Sequence, residues 1–255
     1  MLLAGWPAAM QTKSLVIDAH CHAGTGQQMQ APWNTRADIQ VTLQHMAEGG
    51  IDRTIIFPIN NSDYERPNQE IAEICGQHPD KFIGFAKHDP QQEAGRISRL
   101  LRREVEQLRL RGLKLHRLPS REVLDAVEYL RIPILYHPER VVNFFNIAAE
   151  YPKVNFIMAH LGNFASRDWS EHLEAISMAR RFPNVFLETS SVVFFKFLEM
   201  AARELGADKL IFGSDGPELD SRVELYKIKL LKLSPSDEAK VLGGNIARLL
   251  PKGTI

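Results

Sequence analysis

Short runs of apolar, largely β-branched residues alternate with longer stretches whose apolar positions recur at helical spacing, from one end of the chain to the other. The strand-like runs are residues 15–19, 53–58, 82–87, 112–115, 132–136, 154–159, 185–188 and 210–212. Helical patterns lie between them at 35–48, 68–77, 93–108, 121–129, 140–150, 169–181 and 192–205, and two more follow the last strand at 221–232 and 237–250. Gly49-Gly50 suits a C-terminal stop for the first helix. Ser234 or Ser236 suits the cap of the final one, with Pro235 near its first turn. Strand-then-helix units in this number and a length of 255 residues predict an α/β fold, a single (β/α)8 TIM barrel. A doubly wound open sheet is the alternative, but no Gly-x-Gly-x-x-Gly turn follows the first strand. Residues 13–255 are expected to form the barrel and residues 1–12 a flexible N-terminal tail, with Met10 a second candidate start.

In such barrels the chemistry sits at the C-terminal ends of the strands, so the residues there carry the functional reading. The first strand ends in Asp18-Ala19-His20-Cys21-His22, where alternation sends both imidazoles to one side. Two imidazoles so placed can hold one divalent ion from a short segment. The fourth strand ends in Lys114-Leu115-His116, the fifth in His137-Pro138, the sixth in His160-Leu161-Gly162 and the eighth in Asp215-Gly216-Pro217. Neutral imidazoles to bind an ion and a carboxylate to accept a proton are what hydrolytic metal chemistry needs.

Composition narrows the classes. Lys+Arg and Asp+Glu are both 31, so no basic footprint points to nucleic acid. The basic run from Arg99 to Arg111 is interleaved with Leu and Val at helical spacing and reads as a solvated helix face. Two cysteines, Cys21 and Cys75, make no disulfide framework and suit a reducing compartment. Cys21 alternates away from its flanking histidines and is expected to pack. Residues 1–9 make a poor signal peptide, and no run is long enough to span a membrane, so a cytoplasmic protein is expected. The expected partner is a small-molecule substrate rather than nucleic acid or membrane; the oligomeric state is open, a homodimer included.

The order His-x-His, His, His, Asp over strands one, five, six and eight resembles that of the amidohydrolase superfamily. The wording Asp-Ala-His-Cys-His, Gly-Leu-Lys-Leu-His, Ala-His-Leu-Gly, Gly-Ser-Asp-Gly-Pro and Leu242-Gly-Gly-Asn245-Ile-Ala-Arg248-Leu-Leu is similar to its amidohydrolase-related branch. That branch includes aminocarboxymuconate-semialdehyde decarboxylase and many metal-dependent hydrolases. The resemblance implies that His20, His22, His137 and Asp215 hold one divalent metal ion. Zinc is expected first, with manganese, iron or cobalt as alternatives. It also implies that Asp215 takes a proton from the attacking water and that His160 polarises a carbonyl or relays protons; in a two-metal arrangement His160 would be a ligand. Asp18, deeper in the barrel, is expected to have a structural role or to orient a ligand imidazole rather than to bind the ion itself. In binuclear members a Lys at the end of strand four is carboxylated and bridges two ions. The preferred reading here is a single ion, with Lys114 and His116 binding an anionic substrate group.

Other residues have plainer readings. His88 would line the pocket mouth or cap the next helix, and His45, His78 and His172 fit surface or packing roles. Glu188, Thr189, Ser190 and Ser191 would bond substrate, or one serine would cap a helix. Arg140 would reach an anionic substrate or, as is the default for Arg, sit at the surface. Asn245 is expected as a packing feature of the last helix, and Trp33, in a loop over residues 23–34, as an apolar wall for substrate. The leading function is a metal-dependent hydrolase of an amide, lactone or ester. The rival is a non-oxidative decarboxylase of an unsaturated or aromatic acid. A deoxyribonuclease of the TatD type lacks its Gly-Glu-x-Gly-Leu-Asp wording here, and a non-catalytic binding member of the same fold is a distant alternative.

Overall fold

β-branched and aromatic residues at alternate positions favour strands that bury both faces, and that is how the inner wall of this protein is made. The computed structural model describes residues 14–27 and 36–255; the expected tail 1–12 and Trp33 lie outside the described residues. Among the described residues the barrel strands are β1 (Ile17–Thr25), β2 (Arg53–Pro58), β3 (Phe82–Gly84 and Ala86–Lys87), β4 (Leu113–Leu115), β5 (Ile134–Tyr136), β6 (Phe156–Met158), β7 (Val185–Glu188) and β8 (Leu210–Ile211). Each pairs in parallel with the next. Phe85 bridges the two halves of β3 by donating its N–H to Ile56, and a parallel bridge between Cys21 and Gly216 closes the ring. The result is a (β/α)8 barrel. A two-residue strand, Arg36–Ala37, adds antiparallel to the end of β1.

Helices α1 (Ile39–Gly49), α2 (Glu65–Gln77), α3 (Ile97–Glu106), α4 (Arg121–Leu130), α5 (Phe145–Glu150), α6 (Ser170–Arg181), α7 (Lys196–Leu205) and α8 (Ser221–Leu230) follow the strands in turn. Asp38 caps the start of α1, and Gly50 closes it in the left-handed conformation, as the Gly-Gly pair predicts. In α3 the apolar Ile97, Leu100 and Leu101 face inward while Arg99 and Arg102 are exposed, so the basic run is a solvated face. No helix among the described residues is long and apolar enough to cross a membrane.

Alternation divides the core in two. Ile17, Ala19, Ile55, Phe57, Ile83, Phe85, Leu135, Ile157, Phe186 and Ile211 fill the barrel interior. Ile56, Leu113, Leu115, Ile134, Tyr136, Met158 and Leu187 face the helices, and Cys21 joins them, as expected of a packing residue. The predicted helix 237–250 is present as one uninterrupted helical run, capped by Ser234, in which a wide π turn (Lys240–Gly244) joins α9 (Pro235–Ala239) to α10 (Asn245–Leu249). The wide turn lets Gly243 lie against β1, where a Cβ would sit 2.2 Å from the Leu15 carbonyl oxygen. α10 then sends Ile246, Leu249 and the following Leu250 into the interior cluster, stoppering the barrel. Asn245 ties this helix down by donating to the carbonyls of Ala207 (2.6 Å) and Leu210 (2.7 Å), the packing role its sequence suggests.

β1 runs further than expected, so His20 and His22 stand within it rather than at its end. Its register against β2 slips between Asp18 and Cys21, a bulge of one residue. With Ile17 and Ala19 already inward, this bulge is what lets His20 and His22 also turn inward.

Behind β3 lies a buried polar network. Asn68 of α2 accepts from the Lys87 N–H (2.9 Å) and donates to the Lys87 carbonyl (3.1 Å) and to Glu104 of α3 (2.8 Å). His88 sits between Glu104 (2.8 Å) and Glu93 (3.0 Å) and lines no pocket mouth. Burial alone would lower the His88 pKa, but hydrogen bonds and charge from Glu104 and Glu93 outweigh it and raise the value to about 9. The folded value exceeds the ordinary 6.5, so the stabilisation is complete below that pH and is lost as pH rises through about 9. The stability gap between the native chain and a His88→Gln variant is expected to narrow by on the order of 3 kcal/mol between those limits. Urea unfolding of both proteins across that range checks this; a gap independent of pH would refute it.

Candidate metal centre

At the open end of the barrel the inward series of each strand changes from apolar to polar. Leu135 is followed two residues on by His137, Phe186 by Glu188, and Ile211, via Gly213, by Asp215. The seven site residues expected from the strand ends, His20, His22, Lys114, His116, His137, His160 and Asp215, converge here. His20 Nε2 lies 3.0 Å from Asp215 Oδ1, and His22 Nε2 lies 3.4 Å from the same oxygen. Lys114 Nζ is 3.1 Å from His20 Nε2. The His160 ring is 4.9 Å from that of His20 and 4.6 Å from that of His137, which in turn is 5.0 Å from His116.

Glu188 organises this group. Its Oε2 accepts from His20 Nδ1 (2.9 Å), from the His160 N–H (3.1 Å) and from Ser190 Oγ (2.9 Å), while Oε1 accepts from the Ser190 N–H (2.5 Å). Since Ser190 Oγ spends its proton on Glu188, it accepts from His160 Nδ1 (2.9 Å). Glu188 thus fixes the tautomer of two imidazoles, one directly and one through Ser190, and frees both Nε2 atoms for the centre. Gly213 makes the room: a Cβ there would lie 2.5 Å from Glu188 Oε1. The expectation that Glu188 and Ser190 bond substrate or cap a helix is therefore corrected. Asp18 takes the structural one of its two expected roles: it accepts from the Ser214 hydroxyl (2.5 Å) and N–H (2.8 Å) and from the His20 backbone N–H (3.1 Å), tying the segment after β8 to β1, with no bond to a ligand imidazole ring among the described residues. Burial raises its pKa to about 7 against these bonds.

The loops beyond β6, β7 and β8 hold residues that L side chains rarely adopt. His160, Leu161, Ala165, Ser166, Ser191 and Asp215 all have φ between 50° and 60°. Such residues cost about 1–3 kcal/mol each and persist where the surroundings fix them. Here His172 of α6 is the brace, bonding the Leu161 carbonyl (2.9 Å) and Ser166 Oγ (2.8 Å), and Ser191 Oγ accepts from the Ala165 N–H (3.0 Å). Arg140 is mostly exposed and pairs with Glu171.

The electrostatics separate the groups by role. Burial lowers His22 to about 4 and His137 to about 3, and lowers His116 and His160 well below 6.5, keeping these rings neutral. Burial opposes ionisation of Asp215, but the charge of His20 and hydrogen bonds from His20 and His22 hold it well below the usual carboxylate range. Burial and Lys114 would lower His20, yet Asp215 and Glu188 on either side hold it above its ordinary value. His20, His160 and Asp215 each offer a ligand atom within 4.8 Å of the others, all buried, and buried His22 Nδ1 has no hydrogen-bond partner. This donor set fits a divalent ion. Burial also lowers Lys114 to about 8.

Zinc binding is expected to fall about 10–100-fold in Glu188→Gln, whose amide cannot accept all these donors at once. Competition with a chromophoric chelator measures it, and unchanged affinity would mean that Glu188 does not orient the ligands.

No curated protein matches the sequence. Solved structures share the fold. 5-Carboxyvanillate decarboxylase from Sphingomonas paucimobilis superposes with a TM-score of 0.74 at 16% identity, covering 92% of this chain and 98% of that one. Dihydroxybenzoic acid decarboxylase from Polaromonas sp. JS666, with bound manganese and the inhibitor 2-nitroresorcinol, gives 0.70 at 19%, covering 92% and 96%. An amidohydrolase from Burkholderia multivorans with bound zinc gives 0.73 at 16%, covering 93% and 100%. The family signature described as amidohydrolase matches residues 17–252, nearly the whole barrel, and the chain therefore belongs to the amidohydrolase family.

Proposed function

We propose that the protein is a metal-dependent hydrolase that attacks the carbonyl of an amide, lactone or ester in a small anionic substrate. The observation that carries this reading is the donor geometry at the barrel mouth, where His20, His160 and Asp215 bring ligand atoms within 4.8 Å of one another. One ionised carboxylate, Asp215, stands within 3.4 Å of two imidazoles, while His22, His137 and His160 are held neutral. His20, His22, His137 and Asp215 would hold one divalent ion, zinc first by its ligand preferences and manganese next, with His160, whose ligand atom lies within 4.8 Å of those of His20 and Asp215, beside it or as a further ligand. Bound there, the ion would polarise a carbonyl and make hydroxide available at neutral pH.

The chain's own residues do the rest. Asp215, ionised, accepts a proton at a carboxylate oxygen. His160, with Nδ1–H committed to Ser190, presents an unprotonated Nε2 that can take up and return a proton. Lys114 and His116 would bind the anionic group, and Trp33 would supply an apolar wall.

A second reading, a non-oxidative decarboxylase of an unsaturated or aromatic acid, is favoured by likeness to the two decarboxylase folds. A panel of lactones and hydroxybenzoate-type acids, tested on zinc- and manganese-loaded protein, separates the two. Incorporation of oxygen from labelled water supports hydrolysis; carbon dioxide release without it supports decarboxylation. For the hydrolase, Asp215→Asn is expected to lower kcat about 10²–10⁴-fold, the usual scale for a lost general base. Near-native kcat in that variant would remove Asp215 from proton transfer.

A further inference from the structure

We infer that Lys87 is a specificity-determining residue that binds a second anionic group of the substrate, apart from the group assigned to Lys114 and His116. This deepens the proposed function, since it selects dianionic over monoanionic substrates at the same barrel mouth.

The placement follows from the pleat. Ile83 and Phe85 of β3 point into the barrel, so Lys87, two residues on, continues that inward series while His88 turns outward to its carboxylates. Lys87 is also the register partner of Lys114, whose ammonium reaches His20. Neighbours in register on parallel strands present their side chains to the same face. The positive charge of Lys87 is among the influences that lower His22 and His116, in keeping with a position beside both.

Lys87 is 1% exposed, and a buried ammonium needs compensation. Among the described residues it donates to the neutral amide oxygen of Asn60 (2.8 Å) and lies 5.6 Å from the Tyr64 ring centroid, while the carboxylates whose charge reaches it, Asp215 and Glu218, make no direct ion pair with it. An ammonium has three donors, so this arrangement leaves capacity for an anion. Meanwhile the backbone of Lys87 is clamped on both its N–H and its carbonyl by Asn68, itself anchored to Glu104 and through it to His88 and Glu93. A buried network spent on fixing one residue at the strand end suits a group whose position relative to the metal centre matters. Burial and Lys114 hold Lys87 well below its ordinary value against the charge of Asp215 and Glu218; an incoming anion adds to the latter and favours the charged form.

The test uses isophthalate as a dianion and benzoate as a monoanion, binding to the metal-loaded protein by calorimetry, so no turnover is required. The native chain is expected to bind isophthalate about tenfold or more tightly than benzoate. Lys87→Met should erase that preference while leaving benzoate affinity unchanged, and Lys87→Arg should retain part of it. Asn60→Asp, which places a carboxylate on Lys87 from within the chain, should also erase it and serves if Lys87→Met fails to fold. A Lys87→Met or Asn60→Asp protein that melts like the native one and keeps the preference overturns the inference, as does a native chain with no preference. Failure of every hydrolysis assay, with the binding preference intact, would instead fall on the proposed reaction.

Discussion

The site depends on one carboxylate. Glu188 stands at the end of β7 and faces inward, where it gathers four donors from three residues. Without it, His20 has no partner on Nδ1 and Ser190 no reason to accept from His160, so neither imidazole has a fixed tautomer. A histidine ligand is useful to a metal only if its lone pair points the right way before the ion arrives. Rigid placement on strands, with hydrogen bonds locking the rings, removes most of the reorganisation that binding would otherwise cost. Glu188 in turn depends on the absence of a side chain at Gly213, so one missing Cβ on β8 supports the orientation of groups on β1 and β6.

The backbone bends to serve the same end. A regular β1 could not place Ile17 and Ala19 in the dry interior and His20 and His22 in the polar mouth, because parity forbids it. The bulge after Asp18 changes the parity, and the Asp18–Ser214 bonds hold the bulged segment against β8. At β6 and β8 the left-handed residues do comparable work, turning His160 and Asp215 out of strand geometry toward the centre. Local propensity yields to tertiary bonding at these points, as is usual where function rather than folding selects the conformation.

Much of the fold was legible in the sequence because the barrel obeys simple periodicities. Alternating apolar runs locate the strands, and the lone imidazoles, lysine and carboxylate after them mark the mouth. Glu188 was visible as a polar strand end, but its use was not, since its partners His20 and His160 are 168 and 28 residues away. Lys87 was missed because Lys-His-Asp-Pro reads as a surface turn; the signal was the parity it shares with Ile83 and Phe85. His88 hid for a similar reason, its partner Glu104 being a lone inward acid in an otherwise basic helix. The π turn in the last helix brings Gly243 against Leu15, far away in sequence, and no local pattern announces it.

The stopper formed by Ile246, Leu249 and Leu250 has a consequence for traffic. Among the described residues these packed aliphatic side chains close the base of the barrel, so that end offers no passage for water, ions or leaving groups. Traffic is turned toward the mouth in both directions. Each molecule of product therefore stands between the centre and its successor, and the residues around the rim govern departure as much as arrival.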